Sequence, residues 1–192
     1  MSRLFYHHVG REGSERDFPR SLGQRLAVQE IQPYLTKDLG QAEGERFVSR
    51  LRAAFPQGFN CWGLPSRARQ VFDLLERDDI VLLIGKLQLQ PHPDGTLLYD
   101  GAFEYAGQLQ VICPDRLHET SRYVWTEPKF PLMFFFEASP IGLPWRVFLQ
   151  DVGYKATWDP HGHFHPVSGQ KNERLPGGDP DSYLQHIMRH YP

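Results

Sequence analysis

Two cysteines, Cys61 and Cys113, are all that this 192-residue sequence carries. A pair of thiols cannot make a multi-thiolate zinc site by itself, and a disulfide between them is not expected in a reducing compartment. Long apolar runs are missing as well, since none approaches the roughly 20 residues that cross a bilayer. The opening residues, MSRLFYHHVGREGSERDF, are interrupted by His, Arg and Glu too early for a secretory leader, which points to an intracellular (cytoplasmic) protein. Nor is there an excess of one charge: 21 basic and 23 acidic residues leave a net charge of −2, which excludes a polybasic chain that coats nucleic acid indiscriminately. Any nucleic-acid contact therefore has to be local. Walker-type loops, a GxGxxG following a strand and a G-x-S-x-G elbow are all absent, so nucleotide hydrolysis and redox-cofactor chemistry find no support and no cofactor is expected.

Aromatic residues, by contrast, make up 13% of the chain, many of them beside Gly and Pro. Most aromatics serve a core, but those off a regular core spacing are candidate stacking surfaces. With 40% apolar and 23% charged residues, the chain has the composition and length of one well-cored domain.

Periodicity gives the outline. The first 20 residues have no clear period and read as an extended arm. A helix is expected from Ser21 to about Tyr34, and another through Phe47, Leu51, Ala54 and Phe55, stopped by Pro56 and Gly58. Pro65 suits a first helical turn ahead of a stripe of Ala68, Val71, Phe72 and Leu75. IVLLIG reads as a strand buried on both faces, FEYAGQLQVI as a second strand with a bulge or close approach at Gly107, and LMFFFE as a third. Residues 80–87, 103–112 and 132–137 are expected to be neighbours in one sheet. GYKATW and HFHPV flank a DPHG turn and suggest a hairpin, and Asp179 caps a last helix over Pro180–His190. The fold class is α+β, a curved, mostly antiparallel sheet curled into a barrel and flanked by helices. The organisation expected is an N-terminal arm and helices over residues 1–58, packed on a core over 59–192 as one compact unit.

Candidate chemistry is sparse. His161, His163 and His165 cluster in DPHGHFHP, where alternate strand residues share a face, but no Cys or carboxylate joins them and the simpler reading is a solvated turn. His7 and His8, adjacent on a strand, point apart. Asp78, Asp79, Asp100 and Glu104 would suit a magnesium-dependent nuclease only if they converged. No metal ligand set and no catalytic set is assigned.

Three stretches carry more. FNCWGLPSRARQVFDLLERDDIVLLIG, then FEYAGQLQVI, then YVWTEPKFPLMFFFE resemble the EVE and YTH branch of PUA-like domains over about residues 59–165. In that branch a Trp-bearing loop precedes a helix, a GD-x-VLL strand follows, a Y-x-G-x-V strand comes next, and a second Trp precedes an aromatic strand. Asp79 takes the Asp place of that pattern, and Asp78 stands where the branch has Gly. LPWRVFLQDVGYK is similar to the later part of EVE-like readers in restriction systems.

The resemblance implies a non-enzymatic reader of a methylated or hydroxymethylated base. The base is flipped out of DNA into an aromatic cage, and the domain targets a modification-dependent restriction system with a motor or nuclease partner and no membrane. It implies a base site at Asn60, Trp62, Gly63, Ser66, Tyr105 and Trp125, and phosphate contacts at Arg67 and Arg69 near a helix start. An unstacked base costs a few kcal/mol, which aromatic contacts of about 1–3 kcal/mol each offset. Each residue has a plainer alternative: Trp62 or Trp125 as a plug of the barrel end, and Arg67 or Arg69 on a solvated helix face. Trp145 is expected to anchor the core and Trp158 to pack the hairpin. An RNA-binding PUA-like module, or a small metal-dependent nuclease on the same barrel, are the other functions the sequence leaves open.

Overall fold

A computed structural model describes residues 2–160, 164–168, 171 and 173–192. The chain forms an α+β fold with a large, mostly antiparallel sheet. It divides into two compact units, neither continuous in sequence. One gathers the described residues of 1–16, 78–107 and 139–192, the other 17–77 and 108–138. The division expected at residue 58 is thus replaced. The physical reason is strand pairing: the first segment is a strand and belongs with the C-terminal part.

In the first unit, β1 (Leu4–His8) lies parallel to β3 (Ile80–Ile84) in the register Leu4↔Ile80 to His8↔Ile84. Residues 4–7 and 80–84 are buried on both sides, so neither strand shows the alternation that marks a one-faced sheet. The start of the pair is fixed by Asp79, almost fully buried. It accepts hydrogen bonds from the backbone N–H of Arg3 at 2.9 Å and from the Arg3 guanidinium at 2.7 and 3.2 Å. Asp78, in the place where the related pattern has Gly, has φ 73°, the left-handed region that glycine favours and Asp tolerates. β4 (Leu87–Pro91) and β7 (Ser139–Pro144) pair antiparallel with the first half of β5 (Leu97–Arg116). β8 (Phe164–Pro166) pairs antiparallel with β1. The hairpin expected of residues 153–158 with 163–167 is not found among the described residues, where β8 pairs with β1 and 154–158 form no strand. α6 (Trp145–Asp151) and α7 (Pro180–His190) complete the unit. α7 has the expected bounds: Asp179 accepts from the Ser182 N–H at 2.9 Å and Pro180 opens the first turn.

In the second unit, β2 (Asn60–Leu64) pairs antiparallel with β6 (Leu132–Phe136), and β6 with the second half of β5. Strand order places β6, β5 and β3 in succession, as the three apolar runs require. The register shifts of β5 fall at Phe103/Tyr105 and Leu109/Val111, on either side of Gly107 rather than at it. α2 (Val28–Leu39) and α3 (Gln41–Ala54) form a helical pair joined at Gly40, φ 81°. They approach closely at Gly44, where a Cβ would lie 2.7 Å from Thr36 Cα. Three local expectations are corrected. The N-terminal arm is β1 followed by α1 (Arg11–Ser21), whose last turn contributes to this unit. Trp62 lies within β2, and YVW lies in α5 (His118–Trp125) rather than in a loop. The helix expected after Pro65 is only a 3-10 turn at Ser66–Ala68 and the short α4 (Arg69–Phe72).

Candidate functional site

β2 runs NCWGL with every residue buried, so the inward-facing Trp62 has no exposed surface. Its ring meets Phe18 at 5.2 Å and 72°, Trp125 at 5.7 Å and 77°, and Phe130 at 5.5 Å and 37°. Trp125, at the end of α5, is equally buried, stands at 87° to Phe130, and donates its indole N–H to Ser21 Oγ at 3.3 Å. Gly63 is what lets these rings close: a Cβ there would lie 2.5 Å from the Phe130 carbonyl oxygen and 3.2 Å from Trp125. The cage expected of Trp62 and Trp125 is therefore corrected in this structure. Both rings are core residues, because edge-to-face neighbours occupy the space a base would need.

Asn60 is close by in β2 and also serves the fold. Its amide donates to the carbonyls of Ser21, Leu22 and Gln24 at 2.9–3.2 Å, and its oxygen accepts from the Ala138 N–H at 2.9 Å. With each of those bonds made to backbone, no donor is left over for a base edge. A buried ion pair borders the cluster: Asp17, with no exposed surface, receives Lys129 Nζ at 2.7 Å, and Lys129 lies 4.9 Å from the centre of the Phe130 ring.

Ser66 is half-buried at the start of the 3-10 turn. Arg67 is exposed. Arg69 is engaged: it pairs with Asp73 at 2.7 Å and donates to the Pro114 carbonyl at 2.8 Å. The helix terminus expected to help them hold phosphate is too short to supply an aligned dipole. Tyr105 is half-buried on β5, in the first unit. The second unit also has an open pocket of about 700 Å3 that the sequence reading missed, lined by Arg50, Ala54, Leu75, Arg77, Gln110 and Ile112 among others. Its arginines lie on α3 and after α4, too far apart in sequence to form a motif.

The first unit has a different aromatic group. Trp158, 38% exposed, lies flat on Tyr154 with ring centres 4.5 Å apart and 17° between planes. Its indole N–H donates to Tyr6 Oη at 2.9 Å, and Tyr6 stacks on His165 at 5.2 Å and 29°. Burial pushes the Tyr6 hydroxyl up to about 12, so it stays a neutral acceptor for Trp158. Lys171 Nζ stands 3.7 Å from the centre of the Tyr154 ring and donates to the Gly153 carbonyl at 3.4 Å. Trp158 was expected to pack a hairpin; its exposure is the feature no local pattern encodes. Trp145 does anchor this unit's core, as expected, against Tyr6, Phe103 and Phe148.

Among the described residues no group of three His, Cys, Asp or Glu could hold a metal ion. His161 and His163 lie outside the described residues. Both cysteines are buried and free, and burial raises both thiols, Cys113 to about 12, leaving them protonated near neutral pH. No helix among the described residues is long and apolar enough to cross a membrane.

No protein-family model matches the chain, and no curated protein matches its sequence. Among solved structures it is similar to the N-terminal domain of Thermococcus gammatolerans McrB bound to m5C DNA. The TM-score is 0.63 at 13% sequence identity, covering 97% of this chain and 99% of that one. The likeness, over 97% of this chain, is one of fold.

Proposed function

We propose that this chain is a non-catalytic DNA-binding module that recognises a modified base and targets a modification-dependent restriction system. The observation that carries the proposal is the likeness of fold to a McrB N-terminal domain bound to m5C DNA, over almost the full length of both chains. The order of short motifs over residues 59–165, which resembles the EVE and YTH branch, points the same way, although Trp62 lies in a strand and Trp125 in a helix rather than in the loops of that pattern. Fold alone does not fix function, but here it meets a chain of net charge −2 with local cationic and aromatic groups, as a local nucleic-acid contact requires.

In the finer form of the proposal the sheet curls as a PUA-like barrel and the modified base leaves the duplex stack. A base paired inside a duplex cannot be inspected on all its edges, and unstacking costs a few kcal/mol that protein contacts must offset. Arg67 is the candidate phosphate contact of the expected pair, because Arg69 is already committed to Asp73 and Pro114. Trp62 and Trp125 would join a base site only if Phe18 and Phe130 left their rings; in the packed arrangement they support the fold.

The test is a fluorescence anisotropy titration of the whole chain with duplexes carrying 5-methylcytosine, 5-hydroxymethylcytosine or N6-methyladenine at one position. An unmodified duplex and an RNA of the same sequence serve as comparisons. Tighter binding to one modified DNA than to the plain duplex is the expected result. Equal binding to all the DNAs, or preference for the RNA, would overturn the proposal.

A further inference from the structure

Trp158 differs from the other three tryptophans in a way that composition does not show: Trp62, Trp125 and Trp145 have no exposed surface, and Trp158 is 38% exposed. An exposed indole is usually mobile. This one is held on two sides, by the parallel Tyr154 ring and by the hydrogen bond to Tyr6 Oη. Tyr154 is itself braced by the Lys171 ammonium, so the group is a fixed stack that ends in solvent.

The cations beside it add a second observation. Lys171 and Arg174 converge on Gly153, where a Cβ would lie 2.8 Å from Arg174 Nη1 and whose carbonyl receives Lys171. Desolvation first, and then the Arg174 charge, hold Lys171 below its ordinary pKa. Two like charges held together in this way are relieved by an anion.

We propose that Trp158 and Tyr154 form a stacking platform for an unpaired nucleobase of the bound DNA, with Lys171 and Arg174 receiving the phosphate next to it. The proposal rests on the DNA-binding reading above. A planar π-face accepts every base, so this platform contributes affinity for an unstacked strand without sensing the modification. The cations beside an exposed aromatic are the combination that single-strand grooves use.

The experiment uses the whole chain and two single-stranded oligonucleotides that differ only in one 5-methylcytosine. Wild type is compared with Trp158→Ala, Trp158→Phe and Lys171→Ala, each checked for an unchanged melting temperature. Trp158→Ala should weaken both oligonucleotides by the same factor, about tenfold, the loss of one stacking face. Trp158→Phe should recover most of that affinity. Lys171→Ala should lower the slope of log K against log salt by about 0.7, the value for one phosphate on a single strand. Iodide quenching supplies a readout independent of affinity: it should act on Trp158 fluorescence in the free protein and fade on adding oligonucleotide. Unchanged affinity in Trp158→Ala would overturn the platform and leave the DNA-binding reading intact. Loss of discrimination in that variant would also overturn it, by making Trp158 part of the modification site. Failure of the wild type to bind either single strand would overturn the platform, while the DNA-binding reading is overturned only by the duplex titration above.

Discussion

Trp62 and Trp125 are locked among Phe18 and Phe130 with no exposed surface, whereas Trp158 rests on Tyr154 with more than a third of its surface open. The residue types are nearly the same and the geometry is not. In the first group three of the ring pairs cross at 72–87°, so each edge fills the face of a neighbour and the set closes on itself. In the second the planes differ by 17°, and Trp158 keeps more than a third of its surface in solvent. Angle alone does not decide the role, since Trp145 and Phe148 stack at 30° inside the core; exposure is what separates aromatic groups that build a core from those that can meet a planar ligand.

The sharpest way to break this comparison is to delete one ring from each group. Trp62→Ala should lower unfolding free energy by about 3–5 kcal/mol, because the interlocked neighbours cannot collapse into the space. Trp158→Ala should cost about 1 kcal/mol or less, since the ring is partly solvated already. Urea denaturation of both variants measures the difference. Equal costs would mean that the difference in exposure does not separate the two groups.

Next in size is the ion pair at the edge of the buried group. Lys129→Met leaves Asp17, with no exposed surface, without its 2.7 Å partner. Removing one member of such a pair costs about 3 kcal/mol or more when the other stays charged. The double variant Asp17→Asn, Lys129→Met should regain much of the loss. A single-variant cost below about 1 kcal/mol would show that water reaches Asp17, and that the Trp62 group is less closed than its packing indicates.

How much of this was legible in sequence follows the same division. α7 was legible to the residue, because Asp179 and Pro180 act locally and the stripe of Tyr183 and Ile187 has the helical period. β3 and β6 were legible from continuous apolar runs. β1 was missed because both its faces are buried, leaving no alternation to read, and its parallel partner β3 lies 76 residues away. α5 was missed because eight residues without a side-chain cap, beside a Pro-bearing loop, carry little local signal. Among the site residues, the aromatic and cationic types were legible and their exposure was not. NCWGL lacks β-branched residues and contains Gly, so Trp62 read as a loop residue, although pairing with LMFFF makes it part of a fully buried strand at the end of the sheet order. Asn60 read as a base-edge group, but its partners are backbone carbonyls 36–39 residues away.

Charge offers a smaller test on the side of the Trp62 group. Arg67→Ala should reduce the salt slope of duplex binding by about 0.9, the release of counterions at one phosphate, with equal loss for plain and modified DNA. Arg69→Ala should leave the slope unchanged, since that guanidinium is engaged by Asp73 and Pro114. Reversal of the two would place the DNA backbone on the Arg69 side of the turn.

The smallest effect concerns Thr126, which follows Trp125 and ends α5 with φ 65°. A β-branched residue there is an outlier, because its Cβ crowds the backbone in the left-handed region; glycine is the usual solution at a helix end. Thr126 is exposed and its hydroxyl donates only to the carbonyl of Trp125 at 2.6 Å, so little packing is lost when the side chain goes. Thr126→Gly should therefore raise unfolding free energy by about 1 kcal/mol, the relief of a left-handed Cβ less the added freedom of glycine in the unfolded chain. Strained residues concentrate at functional sites, where the surroundings hold them in place for a reason. If the gain in stability comes with unchanged DNA binding, the corner is a helix stop and Trp125 is core. If the variant is more stable and loses discrimination between modified and plain DNA, the strain holds Trp125 ready to move. The closed aromatic group would then be a resting state of the reading site, and the contrast with Trp158 would be one of state and not of role.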